Sequence, residues 1–101
     1  MQNFDHILAG TSRTILEGLE YIRCRKIKTT KQRKRMIVEL WNHTLDVAIS
    51  TTESPVDRAI LKGYYGCITA SSLEGLDMEQ TYIFVKKFAM IMAMEEVWKD
   101  E

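Results

Sequence analysis

The chain has 101 residues, of which 46% are apolar and 28% are charged, and its formal net charge is zero. This length fits one domain, and the composition is typical of a globular protein rather than a disordered one. The longest apolar run, residues 88–94, is far shorter than the ~20 residues that a membrane span needs, and residues 1–20 do not resemble a signal peptide. Two cysteines without a Cys-x-x-Cys motif predict no disulfide framework. We therefore expect a protein of the cytoplasm, which is the host cytosol if a phage encodes the chain.

Four segments place apolar residues at the 3.6-residue period of a helix, and no segment alternates as a half-buried strand does. The sequence therefore predicts an all-α fold, a compact four-helix arrangement in a single domain. The connections are short, which favours antiparallel neighbours. The predicted helices cover about residues 3–26, 30–50, 55–73 and 78–98.

The first two helices carry clear apolar stripes, with Ile15 on the first and Trp41 on the second. Gly10 in the first helix costs ~1 kcal/mol relative to alanine, so a break at that point is an alternative to a continuous helix. Thr29 followed by Gln32 has the spacing of a capping box, in which a side chain and the backbone satisfy each other's donors. The second helix is therefore expected to begin at residue 30.

The third helix has the clearest start, because Ser54 can cap it and Pro55 suits its first position. We predict that it ends before Gly75, a residue that readily adopts the left-handed conformation at a helix end. Gly63 and Gly66 lie inside this predicted helix. We interpret them as places where a neighbouring helix approaches closely.

The fourth helix begins at Asp77, with Gln80 at the capping-box spacing. Its residues 88–94 are all apolar, so this part has no polar side, and such a helix is normally buried all round. One interpretation is a central helix in a monomer, and the others are contact with a second copy or with a different protein. The residues expected at such an apolar contact are Met90, Ile91, Met94 and Trp98.

Charge is segregated along the chain although its total is zero. Residues 23–35 contain eight basic residues and no acidic one, whereas residues 36–101 contain five basic and eleven acidic residues. Four of the basic residues fall in the first turns of the second helix, near the positive end of the helix dipole. An exposed cation at this end destabilises the helix by ~0.3 to 1 kcal/mol. Residues that contradict such a local preference, with no stabilising contact to offset the cost, often mark a functional site. The predicted electrostatic contact comprises Arg23, Arg25, Lys26, Lys28, Lys31, Gln32, Arg33, Lys34 and Arg35.

Three interpretations of this basic stretch compete. The first is a solvated corner that acidic residues partly neutralise, Glu39 being one local partner for Arg35. The second is a surface that binds an acidic protein or the acidic half of a second copy, and the third is a surface that binds nucleic acid. The pI near 6.7 is lower than a dedicated nucleic-acid binder has, and residues 23–36 contain no aromatic side chain to stack on bases.

Catalytic chemistry is not predicted. His6 and His43 do not have the spacing of a metal motif, and Glu17 with Glu20 forms one carboxylate pair without a second to hold Mg²⁺. We expect no enzyme, no metal and no cofactor. The predicted function is a small interaction or regulatory module, of the inhibitor, adaptor or assembly-factor type, that binds a protein partner and forms a homodimer or higher oligomer. The alternative is a nucleic-acid-binding regulator.

Overall fold

In the computed structural model, residues 4–26 and 29–99 are described, with side chains described through Met94. The regular structure within these ranges is entirely α-helical, which confirms the predicted all-α class. The helices are α1 (Phe4–Cys24), α2 (Thr30–Thr51), α3 (Pro55–Lys62), α4 (Ala70–Leu73) and α5 (Met78–Lys99). Among the residues named above, Lys28 and the side chain of Trp98 lie outside the described part.

The helices α1 and α2 form an antiparallel pair. Leu8, Ile15 and Leu19 of α1 are buried, as the apolar stripe predicts, and the helix continues through Gly10 without the alternative break. The two helices approach each other closely at Gly18, where an added Cβ would lie 2.6 Å from a methyl carbon of Leu40 on α2. A glycine that weakens α1 by its low helix propensity therefore lets α2 pack tightly against it.

The predicted third helix over residues 55–73 is wrong as a single element. The start is as expected, because the Ser54 hydroxyl accepts a hydrogen bond from the backbone N–H of Asp57 and Pro55 occupies the first position. However, α3 ends at Lys62, and a turn leads to the short helix α4. A new helix begins because Thr69 forms a capping box with Ser72: each side chain accepts a hydrogen bond from the other residue's backbone N–H, at 3.1 and 2.7 Å.

The interpretation of Gly63 and Gly66 is also wrong. A Cβ at Gly63 would meet only carbonyl oxygens of its own preceding turn, and a Cβ at Gly66 would meet nothing within 4 Å. Both glycines therefore weaken the helix, since each loses more backbone entropy than alanine on ordering, and the chain turns there. Val56, near the start of α3, is 69% exposed.

The helix α5 packs against α1 and contributes to the buried core. Gly75 adopts the left-handed conformation (φ +82°) just before it. Asp77 and Gln80 then form the predicted capping box, in which each side chain accepts a hydrogen bond from the other's backbone N–H, at 3.1 and 2.7 Å. Val85 and Met92 face the core and are fully buried.

Trp41 joins α2 to two other parts of the molecule. Its side chain is fully buried, and its ring packs edge-on against Phe88 of α5 with centroids 6.5 Å apart. Its indole N–H donates a hydrogen bond of 2.9 Å to the backbone carbonyl of Tyr64. This bond attaches the turn between α3 and α4 to α2.

Candidate interaction surface

The end of α1 and the start of α2 bring the predicted cations together at one end of the molecule, which we call the basic corner (the described cations between Arg23 and Arg35). Most of its side chains are exposed, but Arg33 and Lys34 are half-buried. The exposed members of the predicted set are Arg23, Arg25, Lys26, Lys31, Gln32 and Arg35. The two half-buried cations differ from the others in what they contact.

Arg33 binds the C-terminal end of α1. Its guanidinium donates to the backbone carbonyls of Ile22 at 3.0 Å, Arg23 at 3.3 Å and Arg25 at 2.9 Å. The last carbonyls of a helix have no partner within the helix and carry its negative dipole end, so a cation there is favourable. The cost of placing Arg33 at the start of α2 is therefore offset at the end of α1.

Lys34 has the same role for α4. Its ammonium group donates a hydrogen bond of 2.8 Å to the carbonyl of Leu73, the last residue of that helix. Two of the four cations that oppose the dipole of α2 are thus explained by contacts with helices elsewhere in the chain. Arg33 and Lys34 stabilise the fold.

Lys31 and Arg35 differ from these two. Both side chains are exposed, and neither forms an ion pair or a hydrogen bond with any described residue. Glu39, four residues after Arg35 on the same helix, does not pair with it. Arg25 is occupied at the other side of the corner, where its guanidinium donates to the hydroxyl of Tyr21 at 2.6 Å.

A groove lies beside these two cations, between the N-terminal half of α2 and α4; we call it the α2–α4 groove. Its volume is about 730 Å³. The residues that line it are Thr30, Lys31, Lys34, Arg35, Val38 and Glu39 of α2, with Ala70, Ser71, Glu74 and Gly75 on the other side. Three cations and two carboxylates therefore share one groove with the apolar side chains of Val38 and Ala70.

The wall of this groove that α4 forms was not predicted from the sequence. A continuous helix over residues 55–73 would not place Ala70 and Ser71 opposite α2 as the short α4 does. The available signal was the pair Gly63 and Gly66 followed by Thr69 and Ser72, which together mark a helix break and a new helix start.

The side of α5 that faces away from the core is the second surface of interest. Met90 is 55% exposed, Ile91 49% and Met94 48%, and Ile83 lies on the same side at 47%. The alternative of a central helix enclosed on all sides is therefore wrong for these residues. Within residues 78–94, the fully buried side chains of α5, among them Val85, Ala89 and Met92, lie on the opposite side of the helix.

Titratable groups elsewhere are dispersed. His6 and His43 line a shallower groove of about 390 Å³ between α1 and α2, and both side chains are exposed. In the described ranges, no three His, Cys, Asp or Glu side chains converge in a way that could hold a metal ion. Partial burial raises the pKa of the Cys67 thiol, which disfavours the reactive thiolate there.

Comparison with known proteins found no family model, no curated protein and no solved structure that matches the chain. Among the helices of the described part, none is both long enough and apolar enough to cross a membrane.

Proposed function

We propose that the chain is a non-enzymatic interaction module that binds another protein through the basic corner, as an inhibitor, adaptor or assembly factor does. The observation that carries the proposal is that Lys31 and Arg35 are exposed and have no partner among the described residues, beside an open groove. Unpaired cations attract an acidic partner and increase its rate of association. Arg33 and Lys34 are not part of the proposed contact, because both already donate hydrogen bonds to backbone carbonyls within the fold.

A protein partner is favoured over nucleic acid by the two carboxylates in the α2–α4 groove. Glu39 and Glu74 line it together with Lys31 and Arg35. A phosphate backbone presents negative charge at every nucleotide, so it would meet these carboxylates as well as the cations. A protein segment can place an acidic residue at the cations and a neutral or basic one at the carboxylates.

The test of this function is a double charge reversal, Lys31→Glu with Arg35→Glu. We expect at least about a tenfold loss of partner binding, because like charges across a contact repel and slow association. The measurement is capture from native lysate by the immobilised chain, with the captured protein quantified with and without nuclease. Nuclease should leave the capture by the unchanged chain intact.

The matched control is Arg13→Glu with Lys62→Glu, which changes the net charge equally at two exposed cations outside the basic corner. This control should capture the partner as the unchanged chain does. Capture that is equal in all three proteins would refute the role of Lys31 and Arg35. Capture that nuclease abolishes would instead support the nucleic-acid-binding regulator, for which affinity falls with log salt at about −0.9 per phosphate contact on duplex DNA.

The proposal includes a second contact, in which the outer side of α5 pairs with a second copy of the chain. Ile83, Lys87, Met90 and Met94 follow the alternating four- and three-residue spacing of a coiled-coil seam. In a parallel pair of α5 helices the two Lys87 side chains would face each other, and their positive charges would repel. In an antiparallel pair the two Lys87 side chains lie apart. We therefore propose an antiparallel homodimer centred near Ile91.

For this dimer, Met90→Lys with Met94→Lys is expected to halve the molar mass in solution, because two cations would replace the apolar centre of the contact. Light scattering on the purified proteins measures it. The control is Val47→Lys with Val56→Lys, which alters two other exposed apolar residues on α2 and α3. A monomeric mass for the unchanged chain would contradict the dimer and leave the basic corner unaffected.

A further inference from the structure

The α2–α4 groove has the dimensions of a binding site. Its volume of about 730 Å³ falls within the range of ~300 to 1,000 Å³ that is usual for ligand sites. Its walls are held together by the hydrogen bond from Lys34 to the carbonyl of Leu73 and by the attachment of the preceding turn to Trp41. The groove is therefore formed before a ligand enters, and binding does not have to order its walls.

The chemistry of the groove changes along α2. Lys31 lies in the first turn of the helix, and Val38 lies seven residues further on, which is ~10 Å along the axis. Ala70, the first residue of α4, also lines the groove and adds a second apolar side chain. An extended peptide covers ~3.3 Å per residue, so an acidic side chain and an apolar one three residues apart match the spacing of the two ends.

We propose that the α2–α4 groove binds a short acidic segment of the partner protein, with a carboxylate at Lys31 and Arg35 and an apolar side chain at Val38 and Ala70. This inference rests on the proposed function and specifies the chemistry of the partner. The two cations select the acidic residue because no described carboxylate pairs with them. The apolar end selects against a free anion, which would leave Val38 and Ala70 uncovered.

The test uses a fluorescein-labelled synthetic octapeptide that carries two adjacent aspartates followed three residues later by leucine. Fluorescence anisotropy measures its affinity. Two further peptides have the same net charge: in one the leucine is replaced by serine, and in the other the same residues are scrambled. We expect the first peptide to bind at least about fivefold more tightly than either, because only it satisfies both ends of the groove.

The groove itself is tested with Ser71→Trp, which fills the space while keeping both cations, and with Val38→Asp, which removes the apolar end. Either change should weaken binding of the first peptide about tenfold or more. Ser50→Trp adds the same bulk to an exposed position at the far end of α2 and should leave binding unchanged. Circular dichroism of each variant confirms that the helices are retained.

The outcomes separate this inference from the proposed function. Unchanged peptide binding by Ser71→Trp and Val38→Asp, together with loss of partner capture by Lys31→Glu and Arg35→Glu, would overturn the groove and leave the basic corner as the contact. Equal affinity for the three peptides would overturn it as well. Loss of partner capture and of peptide binding on filling the groove supports both.

Discussion

Replacing Trp41 with alanine is expected to lower the free energy of unfolding by about 3–5 kcal/mol, the usual range for a buried tryptophan. The side chain is fully buried, packs edge-on against Phe88, and donates to the carbonyl of Tyr64. A domain of this size has a total stability of about 5–15 kcal/mol, so the variant would be close to unfolding. Urea denaturation followed by circular dichroism measures the change.

The comparison for Trp41 is Val47→Ala on the same helix, where the side chain is 50% exposed. A surface truncation of this kind usually changes stability by no more than about 0.5 kcal/mol. A loss below about 1 kcal/mol for Trp41→Ala would show that the core does not depend on this side chain.

Arg33→Met is expected to destabilise the fold by about 1–2 kcal/mol. Methionine keeps an unbranched apolar stem but loses three hydrogen bonds to the carbonyls at the end of α1. Hydrogen bonds from a charged donor contribute more than neutral ones, but Arg33 is only half-buried, so solvent reduces the effect. The same denaturation experiment measures it.

Arg35→Met provides the control for Arg33, since it makes the same chemical change two residues away on an exposed side chain without a described partner. Its stability should remain within about 0.5 kcal/mol of the unchanged chain. Equal destabilisation by both substitutions would mean that the positive charge of α2 matters for stability and the bonds to α1 do not.

Most of the helical architecture could be predicted from local patterns. The starts of α2, α3 and α5 follow from capping residues close in sequence, such as Thr29, whose hydroxyl accepts from the N–H of Gln32 at 3.1 Å. The apolar stripes of α1 and α2 also predicted which residues are buried, among them Ile15 and Trp41. These features depend on residues three to eight positions apart, which a periodic pattern records well.

The break between α3 and α4 was not predicted, because the apolar period continues across it through Tyr64 and Ile68. Ile68 is buried as that period implies, but the chain reaches it through a turn. Two glycines and the capping of a new helix by Thr69 outweighed the periodic signal. Periodicity alone therefore predicted correctly that Ile68 is buried, but it predicted a continuous helix where the chain forms a turn.

The roles of the cations could be predicted only in part. The sequence shows that Arg33 and Lys34 oppose the dipole of their own helix, but their acceptors lie as far away as Leu73, 39 residues along the chain. Such contacts depend on how the helices pack, which no local pattern records. The exposed pair Lys31 and Arg35 remains a prediction as a binding contact.

The hydrogen bonds of Arg33 and Lys34 limit which residues of α2 can be substituted without loss of stability. Neighbouring positions of one helix turn differ in how freely they can be substituted. Residues 33 and 34 need side chains that donate hydrogen bonds to the ends of α1 and α4, whereas the side chains at 31 and 35 have no described hydrogen bond or ion pair. Substitution at the latter two should therefore cost little stability. Under the proposed function, such substitutions would change which partner binds while the helical fold is kept.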